Sequence, residues 1–191
     1  MPPFSTGQIQ RVTWLTREFQ SNKPILSRNA EAQTRRMPFQ IKALPKATFA
    51  DLFRLPDSEL ASLNAIRVRA TEKPGFPCRV SLADAEIGEE LILTHFEHHA
   101  VNTPFRSSHG VYVRRDGVEA NPAENAVPEL LRCRMISLRS FNAEGMMAGA
   151  DLADGAALER AIEKAFEDPS AAYIHLHFAK PGCYAARVDR T

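Results

Sequence analysis

Near the C-terminus the segment AYIHLHFAKPGCYAARV brings His175, His177, Cys183 and Arg187 close together in the chain. Neutral imidazoles ligate transition metals and relay protons, a thiolate is a nucleophile or soft ligand, and a guanidinium holds anions. Ile174, Leu176 and Phe178 alternate with Tyr173, His175 and His177, the two-residue period of a strand. That alternation predicts one apolar face turned to the core. The opposite, partly exposed face carries both imidazoles, about 7 Å apart by strand rise.

Imidazoles at i and i+2 on one strand face are the arrangement that strand-borne metal sites use, so His175 and His177 are candidate metal ligands. A third ligand must come from elsewhere: Cys78, Cys183, His95, Glu97, His98, His99 or His109. The run His95 to His99 matches neither HExxH nor HxxEH and falls on a strand end rather than a helix. For nucleophilic chemistry Cys183 is the candidate thiol and His175 the candidate base. Cys183 reaches the histidine face only if the intervening turn is longer than the tight two-residue type. An L-Pro-Gly pair makes a type II turn, whose twist mismatches tight hairpins, so the longer connection is expected.

The tripeptide Lys-Pro-Gly occurs twice, in KPGFPCRV at 73–80 and KPGCYAARV at 180–188. Each is a rigid turn followed by a cysteine and an arginine. Should the two turns share a pocket, Arg79 and Arg187 would hold an anionic group beside Cys78 and Cys183. The loop from Asn102 to Gly110 adds Arg106, Ser108 and His109, a set suited to an anion or a polar small molecule. GxSxG elbows, Gly-rich phosphate loops and dinucleotide fingerprints do not occur.

The elements that must position these groups are short. At 191 residues, 44% hydrophobic and 25% charged, the composition is that of a globular chain with one core. A net charge of +1 argues against nucleic acid as a partner, and no apolar run approaches a membrane span. Three cysteines with no close pair predict reduced thiols and a cytoplasmic setting. Residues 1–36 carry six basic and two acidic side chains and end in a polar tract, read as a disordered extension upstream of a natural start at Met37. Residues 37–191 then form a single domain.

Within it, strands are expected around Phe39, Ile66 to Ala70, Leu91 to Phe96, Val111 to Val113, Met135 to Phe141, Met146 and Tyr173 to Phe178, with a hairpin signal at Asp116-Gly117. Helices are expected at Ser58 to Leu63 with Asp57 as N-cap, at Pro128 to Arg134, and most clearly at Ala156 to Glu167, where Asp154 caps the start. The fold class is α+β, a mainly antiparallel sheet with three or four short helices.

With KPGFPCRVSLADAE, PFRSSHGVYVR and the ending AYIHLHFAKPGCYAARVDR in view, the chain from Met37 onward resembles a bacterial family catalogued as domain of unknown function 1203. The resemblance implies a stand-alone bacterial domain of about this length. It supplies no activity, cofactor or catalytic residue. Two functions remain open: a small-molecule or enzymatic site at the C-terminal strand, or a binding or interaction domain in which Cys and His are structural.

Overall fold

In the computed structural model, which describes residues 37–191, the alternating segment Tyr173–Phe178 is the middle strand of a five-stranded antiparallel sheet. The strands in chain order are β1 (Phe39–Lys42), β2 (Ala65–Arg69), β3 (Pro77–Cys78), β4 (Ala83–Asp84), β5 (Glu90–His99), β6 (Ser107–Arg114), β7 (Met135–Phe141), β8 (Met147–Asp154), β9 (Tyr173–Phe178) and β10 (Tyr184–Arg190). Three α-helices accompany them: α1 (Asp57–Ser62), α2 (Glu129–Arg132) and α3 (Leu158–Ala165). Sheet order is β1-β10-β9-β7-β8 in one sheet and β2-β5-β6-β3-β4 in the other. All pairs are antiparallel except β3 with β6. The class is α+β and mainly antiparallel, but two sheets stand where one was expected. The expectation for residues 1–36 lies outside the described residues.

The first sheet has two covered faces. On one, Ile136, Leu138, Ile174, Leu176 and Phe178 meet Leu130 and Leu131 of α2 and Leu158 and Ile162 of α3 in the main core. The helix stripe read from the sequence therefore packs as its period requires. Its first turn is 3-10, Gly155–Ala157, where Asp154 accepts from the Ala156 N–H at 2.9 Å. Gly155 is obligatory, because a Cβ there would collide with the Leu131 carbonyl oxygen at the end of α2.

The other face of the first sheet packs on the second sheet. Tyr184 of β10 sits among Val111 and Val113 of β6, with Phe49 of a 3-10 turn alongside. All six residues of β9 are consequently buried, including His175 and His177, each 1% exposed. This corrects the partly exposed histidine face: a second sheet covers what a single-sheet reading leaves to solvent.

Smaller differences have local causes. α1 begins at Asp57 with Pro56 at its N-cap, so Asp57 lies in the first turn, where a carboxylate favours the positive helix end. Residues 73–80 contain a cis Lys73–Pro74 peptide and the two-residue strand β3 rather than an irregular turn throughout. No hairpin forms at Asp116-Gly117. β6 is already flanked by β5 and β3, which leaves no edge for a returning strand, and Ala120 N–H donates instead to Val80 O at 2.8 Å. The strand expected near Met146 is the eight-residue edge strand β8, largely exposed and so without alternation.

Leu176→Ala removes a fully buried side chain and is expected to cost about 2–5 kcal/mol. His175→Ala, facing the second sheet, should destabilise by a comparable amount through lost packing and an unpaired neighbour of about 1–3 kcal/mol. Urea denaturation checks both. A His175→Ala loss within about 0.5 kcal/mol would be the behaviour of an exposed residue and would contradict the packing of this face.

Candidate functional site

Five of the six histidines gather between the sheets. His175 and His177 come from β9, His109 from β6, and His98 and His99 from the end of β5. Adjacent residues on a strand point to opposite faces, so His98 and His99 should not both meet the first sheet. A bulge between Glu97 and His99 interrupts the alternation and aims both rings inward. His98 then stacks on Tyr184, ring centroids 4.5 Å apart at 17°. His99 takes a different place, against Phe141 at 4.2 Å.

The hydrogen bonds determine several tautomers. A carbonyl only accepts, so His99 donates through Nδ1 to Phe105 O at 2.8 Å, and its Nε2 accepts from the Tyr173 hydroxyl at 2.7 Å. His177 likewise donates through Nδ1 to Gly182 O at 3.1 Å, leaving Nε2 as a bare acceptor, buried without a hydrogen-bond partner. Such an orphan costs about 1–3 kcal/mol. His98 is bracketed: Nε2 is 2.7 Å from His109 Nδ1 and Nδ1 is 3.3 Å from His175 Nδ1.

Burial favours the neutral form of His98, His109, His175 and His177. Loss of solvation is the main cause that brings His98 and His177 down to about 3 and His175 to about 2, and it also lowers His109. Neighbouring histidines push His98 and His175 further down, and Arg139 does so for His98, His109 and His177. Tyr173 and Tyr184 are raised, again chiefly by burial. His98, His175 and His177 each bring one ring nitrogen within 4.8 Å of the other two, the one group among the described residues that could hold a metal.

Across the β9–β10 hairpin lies a second feature. The turn spans four residues, Ala179 to Gly182, with Gly182 at φ +77° and Phe178 N–H donating to Cys183 O at 3.0 Å. Phe178 and Cys183 are thus opposite one another, and Tyr184 pairs with His177. Cys183 falls on the side away from the histidines, contrary to the expected register. A bulge at Ala185 then returns Arg187 to the face of His175. The structure therefore does not bring Cys183 and His175 together.

It does bring the two Lys-Pro-Gly turns together. They border a cavity of about 910 Å³ whose walls include Pro74, Pro77, Pro181, Met135 and Phe178. Arg79, Arg134, Lys180 and Cys183 also line it, with no carboxylate among the lining residues. Arg79 is 1% exposed. Its Nε donates to Tyr184 O at 2.9 Å, Nη1 to Pro77 O, and Nη2 to Cys183 Sγ at 2.9 Å, with Phe178 5.0 Å below. Burial pushes its pKa down, opposed by the Cys183 and Cys78 sulfurs. Arg134, by contrast, is already paired with Asp84 at 2.7 and 2.8 Å.

The remaining candidates lie elsewhere. Arg187 stands over Tyr173 at 3.9 Å and bonds Asp189 at 2.7 Å. Cys78 is wholly buried, its sulfur accepting from Ser81 N–H and Arg114 N–H. Arg106 pairs with Glu97 at the surface, and Ser108 faces Glu97 across the β5–β6 ladder. His95 is exposed, outside the cluster. Tyr184, Arg139 and Arg134 were not singled out from the sequence; strand pairing alone aligns Tyr184 with His177 and Arg139 with His175.

The depressed histidines make stability pH-dependent. Unfolded histidine titrates near 6.5. Below that value the unfolded chain takes up protons that folded His175 and His177, held at about 2 and about 3, refuse. Stability is therefore complete above about pH 6.5 and falls as pH drops towards these lower values, by roughly 1.4 kcal/mol per pH unit for each of the two. Urea melts from pH 7.5 to 5 in the presence of a chelator should show this slope, and His177→Asn should lessen it. An unchanged slope in the variant would contradict the assignment.

No curated protein and no solved structure matches the chain. A family profile described as Protein of unknown function (DUF1203) matches residues 75–190. Residues 37–74 lie outside that match but supply β1, paired with β10, and β2, paired with β5. No helix among the described residues is long and apolar enough to cross a membrane. With Cys78 and Arg79, the second Lys-Pro-Gly turn and the histidine strand all inside the matched span, the chain belongs to the DUF1203 family.

Proposed function

We propose that this domain binds a small organic anion, a carboxylate carried on an apolar body, in the cavity between the two Lys-Pro-Gly turns. The observation that carries the reading is Arg79, a buried guanidinium whose protein partners are two carbonyls, a thiol and an aromatic ring. None of these is a carboxylate. A buried charge without a counter-charge is costly, and an anionic ligand supplies what the chain omits. Guanidinium has five N–H donors and three are engaged here, so two remain for a planar carboxylate. Lys180, at the rim, adds a second positive charge.

Proline, methionine and phenylalanine walls favour an apolar body, and a volume of about 910 Å³ suits a molecule of drug-like size. Free cysteines at 78, 133 and 183 favour a reducing, cytoplasmic setting. Chemistry at Cys183 is the second reading, favoured by the 2.9 Å contact from Arg79 Nη2 to its sulfur. The base expected for it, His175, belongs to the other side of the hairpin, so binding is the stronger reading.

Cys183 lines the cavity while Cys133 is exposed outside it, which provides an internal control. Octanoate should slow alkylation of Cys183 by iodoacetamide and leave Cys133 unchanged; neutral octanamide should do neither, as read by mass spectrometry. A charge-assisted hydrogen bond contributes about 1.5 kcal/mol or more, so Lys180→Met should weaken octanoate protection by about tenfold. Equal protection by octanoate and octanamide, or none by either, would refute the reading.

A further inference from the structure

The imidazoles between the sheets carry an inference independent of the cavity, from which the β9–β10 hairpin separates them. Of the five histidines, His99 is committed at both nitrogens, to Phe105 O and to the Tyr173 hydroxyl. His177 has one nitrogen committed to Gly182 O and the other bare and buried. His98 can donate through Nε2 to His109 Nδ1, which leaves its own Nδ1 lone pair facing His175 Nδ1 at 3.3 Å. Two lone pairs facing each other repel unless a proton or a cation lies between them. Ligand nitrogens at about 2.0–2.1 Å from a tetrahedral ion stand about 3.3 Å apart, the separation seen here.

We propose that His98, His175 and His177 bind one divalent transition-metal ion of the zinc type, through Nδ1 of His98, Nδ1 of His175 and Nε2 of His177. The donor set contains neither thiolate nor carboxylate. Imidazole donors suit Zn²⁺ and its neighbours, whereas Mg²⁺ and Ca²⁺ require oxygen. Two of the three rings have the outer contact that orients a histidine ligand: Gly182 O fixes the His177 ring and His109 holds the far nitrogen of His98. One ring nitrogen from each of the three lies within 4.8 Å of the others, and the His98–His175 pair already has the tetrahedral separation, so the His177 ring is the one that closes on the ion.

Three neutral donors leave the double charge of the ion uncompensated, so the fourth position takes a hydroxide or another small anion. Arg139, opposite His175 on β7, adds to the attraction for it. This is the three-histidine, one-open-position pattern of zinc centres that activate water.

The test uses the full chain without a histidine tag, stripped with a chelator and titrated with Zn²⁺, Co²⁺ or Mg²⁺. The expected result is one Zn²⁺ retained per chain after desalting, a melting temperature raised by several degrees with Zn²⁺ and not with Mg²⁺, and the intense visible absorption of tetrahedral Co²⁺. His177→Asn keeps an N–H for Gly182 O but has no Nε2, so both the Co²⁺ band and the Zn²⁺ shift should vanish. His95→Ala, outside the cluster, should keep both. The proposal is overturned if the wild type shows neither band nor shift, or if His177→Asn retains the full shift. Should that variant fail to fold, the wild-type Co²⁺ spectrum decides, since unbound Co²⁺ shows only the weak absorption of its hexahydrate.

Discussion

A guanidinium taken out of water must find its hydrogen bonds inside the protein, and Arg79 finds them on both sheets. It leaves the chain just after β3 of the second sheet and donates to Tyr184 O at the start of β10 in the first. It also donates to Cys183 Sγ beyond the β9–β10 turn, and it rests on Phe178. Its backbone is bound as tightly, with N–H donating to Tyr112 O and O accepting from Leu44 N–H. The relative position of the sheets at this end is thus set by donors with fixed planar geometry. Removing any acceptor would leave a buried charge short of a partner, a heavier penalty than a lost apolar contact.

That cross-tie has two consequences. On one side of the hairpin it lines the cavity that the two Lys-Pro-Gly turns border. On the other it brings β9 and β10 against β5 and β6, closing the histidines into an interior layer. Such a layer is unusual for sheets packed face to face, whose facing side chains are normally apolar. Here the apolar contribution comes from the opposite face of the first sheet, where α2 and α3 cover Ile136, Leu138, Ile174 and Leu176. With the main core formed there, the intersheet layer can hold imidazoles and two tyrosines. Buried polar networks favour a single packing only when their members are satisfied, and His177 Nε2 is the member that is not.

Two bulges decide which side chains belong to the layer. Without the one at Glu97–His99, either His98 or His99 would face away from the first sheet. Without the one at Ala185, Arg187 and Tyr184 would be on opposite faces of β10. Each adds one residue to one strand, and a single-residue shift exchanges the two faces of everything beyond it.

Composition and alternation by themselves determined a good deal: an α+β chain with mainly antiparallel pairing, β9 with its apolar and histidine faces, and the amphipathic stripe of α3 capped by Asp154. These are local properties, written in side-chain periods of two and of 3.6 residues. The family was legible too, in the Pro-Cys-Arg segment at 77–79 and in the ending from Gly182, Cys183 and Tyr184 to Arg187 and Val188. Only the tertiary structure decided that the strands divide into two sheets, and so that the histidine face is enclosed rather than open. It alone decided that Cys183 meets Arg79 instead of His175, because that follows from the length of the turn at Ala179 to Gly182 and from a bulge. Register is a sum of such single-residue choices, and no periodicity in the chain records it. The meeting of His98 with His175 and His177, and of Arg79 with Cys183, depends on pairing between strands distant in sequence. Those contacts join strands far apart in the chain, a condition that no segment contains by itself.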